Sequence, residues 1–221
     1  WAEKGILSNN AGLTPQQQAA LLDFMDTDAY CRRYRDLFIV LLHTGLRAGE
    51  CAGLTIEDIH LHGGYLQVDH QVYYSQEQGG MVWAPPKTEK SCRKIPLPAP
   101  AMEALQRRIT AVRAAGRCEV IGHRRHFLFP CYHGSRPLHG VDFDRIFRNV
   151  HRRYRQSDGP PIPALTPHVL RHSYCTGLVH RGLDVKSVQY LMGHASAGIT
   201  LDIYSHVKYA DVREKLLDLA S

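Results

Sequence analysis

The chain has 221 residues, 44% of them hydrophobic, which is enough for one large domain or two small ones around a sizeable core and excludes global disorder. Lysine plus arginine number 27 against 21 carboxylates, a net charge of +6 with histidine neutral, so the balance leans modestly toward polyanionic partners. The longest uninterrupted apolar run, Leu37 to Leu42, is far shorter than the ~20 residues that cross a bilayer, which excludes a membrane-spanning helix.

In chain order, Trp1 to Asn10 carry neither an initiator methionine nor a targeting pattern, and the chain reads as a fragment of something longer. Thr14-Pro15-Gln16-Gln17 combines a capping threonine, a proline at the first helical position and a glutamine three residues after the cap. With Leu21, Leu22 and Met25 behind it, this predicts a helix over 15–27. Tyr34, Leu37, Phe38, Leu41 and Leu42 repeat at helical spacing and stop at Thr44-Gly45, which predicts a buried second helix. From Gly63-Gly64 the pattern changes to the β-formers Tyr65, Leu66, Val68, Val72, Tyr73 and Tyr74, and then to Met81-Val82-Trp83. One small antiparallel sheet is expected between about 65 and 96, closed by a polar hairpin tip around Pro85-Pro86-Lys87-Thr88. Further helices are predicted near 99–115, 140–156, 167–181, 184–192 and 208–219, giving an α+β fold that is mainly helical.

The helix near 140–156 places Phe143, Ile146, Phe147, Val150 and Tyr154 on one face and Arg145, Arg148, Arg152 and Arg155 on the other. The first face belongs to the core, and the second is a candidate phosphate-tracking stripe. On the next helix, opened by Thr166-Pro167, His168, Arg171 and His172 sit at i, i+3 and i+4 and share a face. A guanidinium grips phosphate oxygens in a fork, and an adjacent imidazole can exchange a proton with a hydroxyl.

Four further signals surround this pair. Arg47 follows the Gly45 helix end, with Glu50 three residues on to hold it. Lys87 stands at the expected hairpin tip, His194 follows Gly193, and Tyr204 comes ten residues later. The spread of Cys118, His123, His126, Cys131 and His133 matches no standard zinc spacing and is interleaved by Arg124 and Arg125, so it reads as a basic loop and no metal is expected. The six cysteines, unpaired in pattern and preceded by no signal segment, read as reduced thiols in a cytoplasmic protein.

Taken together and in this order, Thr44-Gly45-Leu46-Arg47-Ala48-Gly49-Glu50, Lys87-Thr88, His168-Val169-Leu170-Arg171-His172, Leu191-Met192-Gly193-His194 and Thr200 to His206 resemble the catalytic domain of the tyrosine recombinases, and most closely the integrases of conjugative transposons. The resemblance covers about residues 14–210. It implies that Tyr204 attacks a DNA phosphodiester to form a 3′-phosphotyrosyl bond, with no cofactor, ATP or metal. Arg47, Arg171 and His194 would stabilise the pentacoordinate phosphate, His168 would help to accept the tyrosine proton, and Lys87 would protonate the departing 5′-oxygen. Glu50 and His172 would support these groups, and Arg145, Arg148, Arg152 and Arg155 would track DNA. Tyr190 and Tyr209 are weaker nucleophile candidates: the first lies in a helix expected to be buried, and the second lacks the flanking motif. The resemblance further implies a missing N-terminal DNA-binding domain before the linker 1–13 and a catalytic domain over 14–207. A C-terminal helix over 208–221 would dock in trans. Double-stranded recombination sites, a homo-tetramer and an accessory directionality factor are the implied partners, in the bacterial cytoplasm at the nucleoid and with no membrane. The alternatives are a catalytically silent DNA-binding regulator and a type IB topoisomerase-like relaxase.

Overall fold

A computed structural model describes residues 12–86, 91–116, 119–132 and 134–193. Lys87, His194, Tyr204, His206, Tyr209, Cys118, His133, the tip residues 88–90 and the expected helix over 208–221 lie outside the described residues.

Helix α1 (Pro15–Thr27) begins on the predicted capping box: the Gln17 amide donates to Thr14 Oγ1 at 3.2 Å and the Thr14 amide donates back to Gln17 Oε1 at 2.9 Å. A 3₁₀ turn over Cys31–Tyr34 leads into α2 (Arg35–Thr44), and Leu37 to Leu42 are all buried. This is the central helix of the molecule, packed against α1, α4 and α6. Phe38 stacks on Phe147 with ring centroids 4.5 Å apart, which ties α2 to α5. Each such side chain contributes roughly 1.5–3 kcal/mol on burial. A short helix, α3 (Ala48–Gly53), follows at once, and the sequence pattern did not predict it.

The expected single sheet is in fact two. Strand β2 (Tyr65–Val68) lies between β1 (Ile59–His60) and β5 (Arg93–Pro96), antiparallel to both, with Leu66 opposite Ile59 and Ile95. Strands β3 (Gln71–Ser75) and β4 (Gly80–Ala84) form a separate antiparallel hairpin, with Val72 opposite Trp83. The hairpin rests on α3 and has its own apolar cluster of Val72, Ile121 and Phe127. Between the two sheets, buried His70 puts Nε2 2.7 Å from the Gly53 carbonyl oxygen, which anchors the β2–β3 link to α3 and separates the strand pairs.

Helices α4 (Ala99–Ala115), α5 (Gly140–Tyr154), α6 (Pro167–His180) and α7 (Val185–Met192) fall within two residues of their predicted bounds. Thr166 caps α6 through the Val169 amide, and Asp184 caps α7 through the Lys186 and Ser187 amides. α6 and α7 share a small core of Cys175, Leu178, Val179, Val188 and Met192. α7 also packs on β5, so three layers of chain meet at its carboxyl end. No helix among the described residues is long and apolar enough to cross a membrane.

Candidate active site

The turn from α2 to α3 is built to present a side chain. Gly45 ends α2 at φ 61, a left-handed conformation costly for any residue with a Cβ, and the chain then runs extended through Arg47, the N-cap of α3. The Arg47 amide donates to Glu50 Oε2 at 2.9 Å, and its guanidinium donates to Glu50 Oε1 at 2.7 Å and to the Gly193 carbonyl at 2.7 Å. Its side chain is nevertheless 40% exposed.

Arg171, one turn into α6, is almost wholly buried. It donates to the carbonyls of Gly45 and Met192. Burial, then the neighbouring Arg47 charge, presses its pKa down to about 9, which leaves it cationic at neutral pH. His168 stands one turn earlier, exposed at the mouth. Arg47, His168 and Arg171 together line a cleft of about 460 Å³, walled by Leu46, Phe143 and Pro167, with Gly140 and Asp144 of α5 at its edge. Of the sequence-predicted residues, the structure therefore brings these three together. Glu50 lies beneath them. His172 is not on the cleft wall: its Nδ1 is 3.2 Å from Thr176 Oγ1, on the side facing the lead-in to α1.

The residue that sequence reasoning missed is Arg93. Its charge reads as surface, yet its side chain is fully buried. It donates to Glu50 Oε1 at 3.0 Å, to Glu50 Oε2 at 2.9 Å, to the Leu191 carbonyl at 2.7 Å and to the Ser91 carbonyl at 3.1 Å. The available signal was strand alternation, because Arg93 shares its face with buried Ile95 while Lys94 and Pro96 point outward. Three guanidiniums thus grip three successive carbonyls at the end of α7, with Arg93 on Leu191, Arg171 on Met192 and Arg47 on Gly193. The last carbonyls of a helix have no intrahelical partner and carry its partial negative charge, so cations are the matching partners. Gly193 closes the helix at φ 60, and a Cβ there would stand 2.9 Å from the Arg93 guanidinium.

Burial alone would raise the Glu50 pKa, but the hydrogen bonds and charge of Arg93, followed by those of Arg47, bring it down to about 2. Because the folded value lies below the ordinary 4.5, this carboxylate adds stability above about pH 4.5 and loses it as the pH falls toward 2. The contribution is on the order of 3 kcal/mol. The expected result is that the gap in unfolding free energy between the parent and Glu50→Gln, followed by urea denaturation, narrows across that window. A gap independent of pH would contradict it.

On α5, Arg148, Arg152 and Arg155 are exposed and stacked at helical spacing beyond the cleft-edge residue Asp144. Arg145 is less available, since it donates to Asp142 at 2.9 Å, a carboxylate that Arg136 also holds at 2.6 Å. Two sequence expectations are corrected. Arg124 does not project from a basic loop: it turns inward, 3.3–3.4 Å from Glu57, Asp58 and Asp69. It thereby occupies the one cluster among the described residues with metal-like spacing, Asp58, Asp69 and His70. Tyr190, expected to be buried, is 51% exposed, and its hydroxyl accepts the Lys94 amide at 3.1 Å.

The profile of the phage integrase family matches residues 12–211, and the chain belongs to that family. It is 32% identical over 197 residues to the transposase from transposon Tn916 of Enterococcus faecalis, covering 89% of this chain and 48% of that protein. It is 31% identical over 204 residues to the tyrosine recombinase XerD of Halalkalibacterium halodurans, covering 91% of this chain and 59% of that one. The chain therefore spans about half the length of the curated relatives it matches. Among solved structures, the Tn1549 transposon integrase in complex with a circular intermediate DNA superposes with a TM-score of 0.85 at 31% identity, over 95% of this chain and 66% of that one. The fold is accordingly that of a tyrosine-recombinase catalytic domain, α+β and mainly helical.

Proposed function

We infer that the chain is the catalytic part of a site-specific DNA recombinase, an integrase of the conjugative-transposon type that cleaves and rejoins strands for integration and excision. The observation that carries this reading is the cleft in which Arg47, His168 and Arg171 converge, with the same arginines holding the turn that leads directly to His194. Tyr204 Oη attacks the phosphorus, the bond from phosphorus to the 5′-oxygen breaks, and a 3′-phosphotyrosyl ester remains. The tyrosine proton passes toward His168, and Lys87 protonates the leaving 5′-oxygen. Arg47, Arg171 and His194 stabilise the charge on the pentacoordinate phosphorus. Rejoining is the reverse step with a new 5′-hydroxyl, so bond energy is conserved without ATP or metal. Similarity to a DNA-bound transposon integrase supports double-stranded recombination sites as the substrate. Exposed Arg148, Arg152 and Arg155 extend the cationic track from the cleft edge, with Arg145 a lesser contributor. The same reading places residues 14–207 in the catalytic domain and 1–13 in a linker from an N-terminal DNA-binding domain. It assigns assembly to a homo-tetramer through a helix over 208–221, with an accessory directionality factor, in the bacterial cytoplasm at the nucleoid.

The test uses nicked random-sequence duplexes, from which the short strand diffuses away after cleavage and traps the covalent complex. The chain is expected to form an adduct that mass spectrometry maps to Tyr204, and Tyr204→Phe is expected to form none while keeping DNA affinity within about twofold, because a single hydroxyl makes a small share of the phosphate contacts. DNA binding without adduct, both here and in a repeat with the full-length protein, would point to a silent regulator. Relaxation of arbitrary supercoiled plasmid would point to a type IB relaxase.

A further inference from the structure

Arg93 is a fully buried cation to which the proposed mechanism gives no task. It does not line the cleft, so it does not meet the phosphate. Its bonds instead join three separate stretches of chain: Glu50 of α3, Ser91 immediately before β5, and Leu191 in the last turn of α7. Glu50 shares Oε1 between Arg93 and Arg47, and its Oε2 also holds the Arg47 amide. The three guanidiniums and one carboxylate carry two net positive charges. Without Arg93, Glu50 would have Arg47 as its main counter-ion, leaving one net charge and drawing Arg47 down from the cleft. The bond to Leu191 also sets which rung of α7 faces Arg171 and Arg47, because the three carbonyls are consecutive.

We propose that Arg93 is the positioning residue of strand cleavage: by bridging Glu50 and the Leu191 carbonyl, it keeps Arg47 turned into the cleft and holds the carboxyl end of α7 in register with Arg171. The proposal rests on the recombinase reading. A lysine here keeps the charge, but a single ammonium cannot fork across both carboxylate oxygens and also reach Leu191.

The test compares the parent chain with Arg93→Lys and with the double variant Arg93→Met/Glu50→Gln, which removes the buried ion pair as a unit, keeps the net charge of the cluster unchanged and so guards against simple failure to fold. Cooperative thermal unfolding is confirmed first. Affinity for duplex DNA is expected to stay within threefold in both variants, while single-turnover adduct formation falls on the order of 10²-fold, as small displacements of reacting groups do. Amide exchange at Met192 and Gly193, which needs no catalysis, is expected to quicken at least tenfold in Arg93→Lys. Adduct formation within threefold of the parent in a folded variant, equal losses in affinity and cleavage, or unchanged exchange would each overturn the proposal. A parent chain that forms no adduct, either by itself or within the full-length protein, would instead overturn the recombinase reading, and the positioning role of Arg93 with it.

Discussion

Arg171→Ala is expected to lose both stability and strand cleavage, each by a wide margin. The carbonyls of Gly45 and Met192 take their hydrogen bonds from this one buried side chain, across a gap that joins the end of α2 to the end of α7. Leaving a buried polar group unsatisfied costs roughly 1–3 kcal/mol, so two of them remove about 2–6 kcal/mol from a domain whose total is typically about 5–15. On the proposed mechanism the cleft also loses a fixed cation beside the reacting phosphate, and losing a comparable donor elsewhere costs about 10²–10³ in rate. Urea denaturation and single-turnover adduct formation read the two effects separately. Arg171→Lys should recover part of the stability, since an ammonium can satisfy one carbonyl, and recover less of the rate. If Arg171→Ala unfolded at the parent's urea midpoint, the carbonyls would not depend on this residue and the account of the site would be wrong.

Gly45→Ala is the second severe change. Its φ of 61 costs an L-residue roughly 1–2 kcal/mol. The added Cβ would stand 2.3 Å from Cδ1 of the Tyr174 ring, an overlap that adds about 1–3 kcal/mol of strain. A loss of about 2–5 kcal/mol is expected in denaturant unfolding. Pairing it with Tyr174→Leu should return the steric part and leave the backbone part. Since Gly45 also supplies a carbonyl to Arg171, cleavage should fall further than stability alone explains. A loss under about 1 kcal/mol would mean that the turn relaxes freely and that neither the ring nor the left-handed backbone constrains it.

Much of this fold is legible in local chemistry. Thr14-Pro15, Thr166-Pro167 and Asp184 mark helix starts, and Gly45 and Gly193 mark helix ends, because capping is decided within four residues. α3 escaped because its six residues, Ala48-Gly49-Glu50-Cys51-Ala52-Gly53, carry no apolar period and its N-cap is an arginine rather than a usual cap. The division of the sheet escaped because β2 pairs with β1 and β5, and pairing between distant segments leaves no trace in local alternation. The motif residues Arg47, Glu50, His168 and Arg171 were visible as types in order. The inward turn of Arg124 was not, since its carboxylate partners lie 55–67 residues away in sequence. Arg93 was hidden by its charge, which reads as surface although its strand position reads as core.

The grip on the end of α7 bears on the resting state of the cleft. Like charges gathered in one place repel, and a site that collected its cations only when a phosphate arrived would draw the cost of assembly from its binding energy. Here Glu50 and three helix-terminal carbonyls, all supplied by the fold itself, hold the guanidiniums in place, in an environment that excludes water from Arg93 and nearly so from Arg171. Such preorganisation moves the reorganisation cost from the moment of reaction to the moment of folding, where the whole core of the domain shares it.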